Sequence, residues 1–244
     1  MYVNRDFKSL SVDKKKLIEC GIYGKIYSAD DDRIIKAYFN ETPKICKLDD
    51  DVFSIIKDIK HPNLVEIYDV YTTLFHYYTF SKNRTEFLVD AYVAKHYQET
   101  RKNILWDSKE YLLENIYALE ALIHELSNSA ILVGSLSKKD SVFTDSHIII
   151  ADPDFFSHST LSSKENQNEN IVAFLEYLAF LFINELIAEE NANKKDYSEI
   201  EKNIFFENIR LRTTFANSDK SIADEFSKAL RFHRSPMEFF TKGE

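Results

Sequence analysis

Four glycines in 244 residues form the tightest constraint this sequence carries. Glycine ordinarily supplies about 7% of a globular chain. A fold so short of it has few places where the backbone can take a positive φ or pass close under another group. The four are Gly21, Gly24, Gly134 and Gly243. Gly243 lies in the tail. Gly21 and Gly24 share one short loop between β-like runs, and Gly134 stands alone. Each of these three is expected to answer a backbone need.

Around that loop the chain reads as sheet. Residues 16–27 form a β-like run broken by the two glycines, Asp30-Asp31-Asp32 is a turn, and residues 33–38 return as a second strand of a tight hairpin. Residues 45–59 carry apolar side chains at 45, 48, 52, 55, 56 and 59, a helical spacing that His61-Pro62-Asn63 ends. Residues 64–72 and 86–93 are rich in β-branched and aromatic residues and are expected as strands, with 81–85 as the turn between them. The second half is expected to be mainly helical, over 108–126, 171–187, 197–209 and 220–232. Within it, 141–144 and 147–151 form two short strands about an Asp145-Ser146 turn, and the polar stretch 154–170 is a loop. Strands first and helices later predict an α+β fold of two lobes, 1–93 and 94–244, with the break near 93–96.

Composition narrows function. Hydrophobic residues at 44% and charged residues at 29% are ordinary for a folded domain. The net charge of −9 argues against nucleic-acid and anionic-membrane binding. With only Cys20 and Cys46 there is no disulfide framework, and no signal peptide is readable behind Met1, so a reducing cytoplasm is the expected home. The apolar stretch 171–187 contains Glu176 and Glu185 and reads as a core helix rather than a membrane span. The seven histidines show no metal-ligand spacing.

Five elements in order resemble the protein-kinase superfamily, and the resemblance covers most of the chain. Gly21-Ile-Tyr-Gly24-Lys-Ile26 resembles the second half of the glycine-rich phosphate loop. Ile34-Ile35-Lys36 is similar to the strand-three lysine motif. The helix running into His61-Pro62-Asn63 resembles helix C followed by strand four, and residues 87–93 resemble strand five and the hinge. Val133-Gly134-Ser135-Leu136, with Asp140 behind it, lies where the catalytic loop should lie, and Ala151-Asp152-Pro153-Asp154 takes the place of the metal-binding aspartate motif. The resemblance implies a bilobal kinase-like fold with a reduced helical lobe. It implies ATP held by Gly21, Gly24, Ile26, Lys36, Ala91, Val93 and Val142, and Mg²⁺ held by Asp140 and Asp152, with Asp154 able to add a third carboxylate. Ser135 stands at the catalytic base position. A second frame, with Asp140 as base and Asp145 as metal ligand, leaves only seven residues to Asp152.

The departures matter as much. Ser135 is a poor base. Val52 occupies the helix-C glutamate position, although Asp49 and Asp51 are near it. Glu19 replaces the first loop glycine, Ile34 replaces the small residue over adenine, and Asp90 is charged where an apolar residue belongs. General-base help is worth about 10²–10⁴-fold and kinases turn over about 1–100 times per second, so losing the base alone leaves roughly 10⁻⁴ to 1 per second. The expected function is therefore a pseudokinase that works through a protein partner with nucleotide bound. The alternative is an active atypical kinase or nucleotide-dependent transferase using Lys36, Asp140 and Asp152.

Overall fold

The structure, a computed structural model, describes residues 12–20, 22–29, 33–72, 77–82, 109–136, 140–144, 146–192, 197–216, 219–232 and 239–240. Its first part is one antiparallel sheet. Strands β1 (Val12–Cys20), β2 (Gly24–Ala29) and β3 (Arg33–Tyr38) follow one another, and β5 (Tyr77–Lys82) pairs with both β3 and β4 (Ile67–Thr72). The order is β1-β2-β3-β5-β4. The strand beside β3 therefore begins ahead of the 86–93 run, and its last two residues come from the stretch read as a turn. Tyr77-Tyr78-Thr79-Phe80 is as aromatic and β-branched as the later run and lies close enough in sequence to β4 to fold back on it. Residues 86–93 lie outside the described residues, as does the expected break at 93–96.

The helix expected over 45–59 is shorter. A 3₁₀ turn at Lys44–Cys46 precedes α1 (Asp50–Ile56), because Asp49 turns its carboxylate onto the Val52 N–H at 2.8 Å and starts the helix there. The aspartates at 50 and 51 suit the positive end of that helix.

The later part contains α2 (Lys109–Asn128), α3 (Ser163–Ala192), α4 (Tyr197–Ala216) and α5 (Ile222–Arg231). Between α2 and α3 lie β6 (Ile131–Leu132), the hairpin β7 (Ser141–Phe143) and β8 (Ile148–Ile150), and β9 (Ser157–His158), which pairs with β6. Sheet and helices together make an α+β chain. Among the described residues no helix is long and apolar enough to cross a membrane. The apolar stretch of α3 is buried instead, through Phe174, Leu175, Tyr177 and Leu178.

Half of the expected loop 154–170 is helix. Its polarity has an internal use. Asn170 accepts the Val133 N–H at 2.8 Å and donates to the Ile131 carbonyl at 2.7 Å, while Asn166 donates to the Ser127 carbonyl at 2.7 Å. Both asparagines are buried and stitch α3 to the end of α2 and to β6. The start of α3 was written in the sequence as Ser162-x-x-Glu165: Ser162 N–H donates to the Glu165 carboxylate at 3.0 Å, and Glu165 N–H returns to Ser162 Oγ at 3.4 Å.

One continuous apolar core joins α1 and β4 to α2, α3 and α5. At its centre is a polar joint. Asn63 donates to Asn115 Oδ1 at 2.9 Å and to the Ile148 carbonyl at 2.7 Å. Asn115 Oδ1 also accepts the Ile148 N–H at 2.6 Å. The Ile150 N–H reaches the Asn63 carbonyl at 2.8 Å, and the Val65 N–H reaches the Ile150 carbonyl at 2.9 Å. The hairpin is thus held from both sides, by the 61–65 segment and by α2. Asn115→Ala should remove the two bonds its Oδ1 accepts, from Asn63 and from the Ile148 N–H, and leave the Ile148 N–H unpaired in the core. Its expected cost is about 3 kcal/mol, read from the urea unfolding midpoint at unchanged m-value.

Candidate functional site

Register on the sheet decides which side chains share a face. Lys36 of β3 lies opposite Ile26 of β2 and opposite Thr79 of β5, and Gly24 lies opposite Tyr38. Alternation along β3 then puts Ile34, Lys36 and Tyr38 on one face. Gly24 is required by closeness, since a Cβ there would stand 2.3 Å from the Ala37 carbonyl oxygen. Gly21, the other loop glycine, lies outside the described residues.

Across from this face is the end of the β7–β8 hairpin. Ser141 pairs with Ile150, so Asp140 and Ala151 face each other just beyond the ladder. The Asp140 carbonyl accepts the Ala151 N–H at 2.7 Å and the Asp152 N–H at 3.1 Å. Two aspartates twelve residues apart are thus brought together along the backbone by this short hairpin.

Lys36 spans the space between sheet and hairpin. Its Nζ donates to Asp152 Oδ2 and to Asp154 Oδ2, and it lies 5.3 Å from the centre of the Tyr38 ring. Tyr38 Oη donates to Asp154 Oδ1, and the Asp154 N–H donates to Asp152 Oδ1 at 3.2 Å. The lysine expected to hold phosphates and the aspartate expected to hold metal are therefore in contact. The sequence named Asp154 as a further carboxylate; the structure places its oxygens against Lys36 and Tyr38, much as those of Asp152 meet Lys36 and the Asp154 N–H. The sequence reading missed Tyr38. The available signal was its position two residues beyond Lys36, on the same face of a strand.

Burial sets the electrostatics. It presses the Lys36 ammonium toward its neutral form, but Asp152 and Asp154 outweigh it and the pKa ends above the ordinary lysine value. Burial also pushes the Tyr38 phenol well up, helped by the charges of Asp154 and Asp152. Asp154 is buried, its side chain only 6% exposed, and burial followed by the charge of Asp152 lifts its carboxyl to about 7 against the pull of Lys36. The Asp152 side chain keeps 28% of its surface open to solvent.

The other expected residues fall as follows. Ile26 is half-buried on β2, and Val142 is buried on β7 opposite Ile149. Ala91, Val93 and Asp90 lie outside the described residues. Ser135 is exposed on the segment after β6, beside Gly134, whose φ is +66°. A Cβ on Gly134 would lie 2.8 Å from the Phe155 carbonyl oxygen, so this glycine lets the 133–136 segment pack against 153–156. Val52, at the helix-C glutamate position, is wholly buried in the core.

Among the described residues no cluster of three or more His, Cys, Asp or Glu side chains is arranged for a metal ion. Magnesium asks for less, since it takes one or two carboxylates and fills its other positions with waters and phosphate oxygens. Asp140 and Asp152 supply that donor chemistry, so the pair fits a nucleotide-borne Mg²⁺. Compared with known protein families and with curated proteins, the chain matches none.

The charge state of Asp154 gives a sign that can be measured. Its carboxyl loses a proton near 3.8 in an unfolded chain and near 7 in the fold. Between those values the folded form holds the extra proton, so this group's contribution to stability falls as pH rises, by at most about 1.4 kcal/mol per unit. The stability difference between wild type and Asp154→Asn, measured by urea unfolding, should shift in favour of the variant as pH rises from about 4 to about 7.

Proposed function

We propose that the chain is a degenerate protein-kinase-like protein that binds a nucleotide with Mg²⁺ and acts through contact with a partner protein, with phosphotransfer lost or vestigial. The contact between Lys36 on β3 and Asp152 after β8, across 116 residues of sequence, carries this reading. Two residue types with complementary tasks toward phosphate, cation and metal-binding anion, meet here in direct contact. The order of elements supports it as well: a sheet with α1 between β3 and β4, then α2, then the 133–136 segment, then the hairpin that ends at Asp152.

Loss of transfer follows from what the site lacks. Val133-Gly134-Ser135-Leu136 contains no group that can hold a proton near neutral pH, and a serine hydroxyl only accepts a hydrogen bond from an incoming alcohol. Ile34 is buried on the same face as Lys36, which fills the roof of an adenine site with a branched side chain. Lys36 would meet the α/β-phosphates, and Asp140 and Asp152 would hold the Mg²⁺. The ion would neutralise phosphate charge and so permit binding. The carboxylates of Asp140, Asp152 and Asp154 outnumber the Lys36 ammonium, and metal-free ATP is repelled.

Binding should therefore need Mg²⁺. ATP with Mg²⁺ at 100 times its dissociation constant should raise stability by about 2.7 kcal/mol, ATP with a chelator should not, and Asp152→Ala should abolish the difference. No melting shift with millimolar ATP or GTP and Mg²⁺ would overturn nucleotide binding.

The closeness of Asp140 and Asp152 favours a second reading, an atypical kinase or transferase that retains its metal carboxylates and lacks only its base. On that reading Ser135→Asp should raise the rate of phosphate transfer by up to about 10²-fold. On the first reading it should leave the protein inactive, as measured by transfer of labelled phosphate to itself and to generic substrates.

A further inference from the structure

A strand lysine reaching into a cleft has four rotatable carbons and no position of its own. In a kinase-like site something must fix it; the resemblance implies an anchor on the helix between β3 and β4, and with Val52 in the glutamate's place the sequence leaves the lysine poorly held. None of that helix's acids is used so. Asp49 spends its carboxylate on the Val52 N–H, Asp50 and Asp51 are exposed, and Val52 points into the core. The lysine is instead gripped from the opposite side of the cleft.

We propose that Asp154 is the positioning residue of Lys36, so that the direction of the ammonium is set by the 151–156 segment and is independent of where α1 lies. The importance of that direction rests on the nucleotide reading above. The identity of the anchor rests on the geometry alone. Asp154 Oδ2 accepts from Lys36, its Oδ1 accepts from Tyr38, and its N–H fixes Asp152 Oδ1. One residue thus orients the lysine, the phenol beside it and the other carboxylate. The segment that carries it is itself held. The Phe156 N–H closes a turn onto the Pro153 carbonyl at 2.9 Å, Pro153 is buried, and Gly134 packs against the Phe155 carbonyl. Tyr38 steadies the pair from the sheet side, on the same strand face as the lysine.

Such an anchor changes how a cleft of this kind can be regulated. A lysine tied to a helix is released when that helix swings away. A lysine tied to the residue two beyond the metal aspartate stays aligned with that aspartate through any movement of α1. Lys36 is then permanently ready for phosphate, and control falls on the 151–156 segment.

The test uses the full chain and reads Lys36 directly. Acetylation of Lys36 by an N-hydroxysuccinimide ester, followed by mass spectrometry without nucleotide, reports how firmly the amine is held. Asp154→Asn should speed this labelling about tenfold and weaken binding of ATP with Mg²⁺ by about tenfold, the loss expected for one charge-assisted hydrogen bond. The double variant Asp50→Asn, Asp51→Asn should change neither. Labelling in Asp154→Asn equal to wild type, or faster labelling in the double variant, overturns the proposal. Should Asp154→Asn fail to fold, Tyr38→Phe carries the test. Loss of its hydroxyl loosens Asp154 and should speed Lys36 labelling about threefold, and an unchanged rate overturns the proposal. A wild-type chain that binds no nucleotide removes the functional reading, and the labelling rates still decide the anchor.

Discussion

A lysine ammonium with 18% of its side chain exposed must be met by negative charge, and this requirement organises the cleft. Lys36 meets it with two carboxylates from one short segment, and that demand ties the sheet to the hairpin. Breaking a partly buried pair by deleting one partner is costly because the other is left uncompensated. The cluster is therefore a constraint on the fold. It holds one cation against two anions in a place where burial raises every interaction energy.

The cluster depends on buried polar side chains that hold its supports. Asn63 and Asn115 fix the hairpin against α2, Asn166 and Asn170 fix β6 against α3, and Glu120 accepts the Ile222 N–H at 2.6 Å and the Ala223 N–H at 3.0 Å to hold the start of α5 on α2. Each is a buried polar group used to register one element on another, where apolar packing alone would let it slide. Tyr177 of α3 does the same for the hairpin by donating to Ser141 Oγ at 2.7 Å.

The sequence was legible where one signal was strong and local. The glycine-flanked hairpin, the hairpin around residues 141–151 and the helices about 109–128 and 222–231 all appear where periodicity and turn residues placed them. The facing of Lys36 and Asp152 was legible too, because each sits at a recognisable place in an ordered set of elements. What was not legible depended on partners far away in the chain. The asparagines of α3 read as loop because their polarity is satisfied by partners far off in sequence, at the end of α2 and in β6. Tyr77–Lys82 took the place beside β3 because pairing with two strands at once decided between two equally β-prone runs. That Tyr38 and Lys36 meet the oxygens of Asp154 was not legible, because both come from a strand 116 and 118 residues away. Ser135 and Val52 were read as departures, and the structure shows that one is exposed and the other buried.

The hairpin that closes Asp140 onto Asp152 has a bearing on how the chain reaches its final form. Those two residues are separated by 12 positions, whereas Lys36 and Asp152 are separated by 116. Closing the longer loop costs about 2 kcal/mol more chain entropy than closing the shorter one. The turn that joins Asp140 to Asp152 is thus assembled by a nearby stretch of backbone, while the cation that meets Asp152 and Asp154 must be brought from the far end of the chain. Like charges gathered cheaply and relieved expensively make the arrival of β3 the step that turns a repulsive local pocket into a balanced one. The slow, long-range event of folding and the completion of the site are then one and the same.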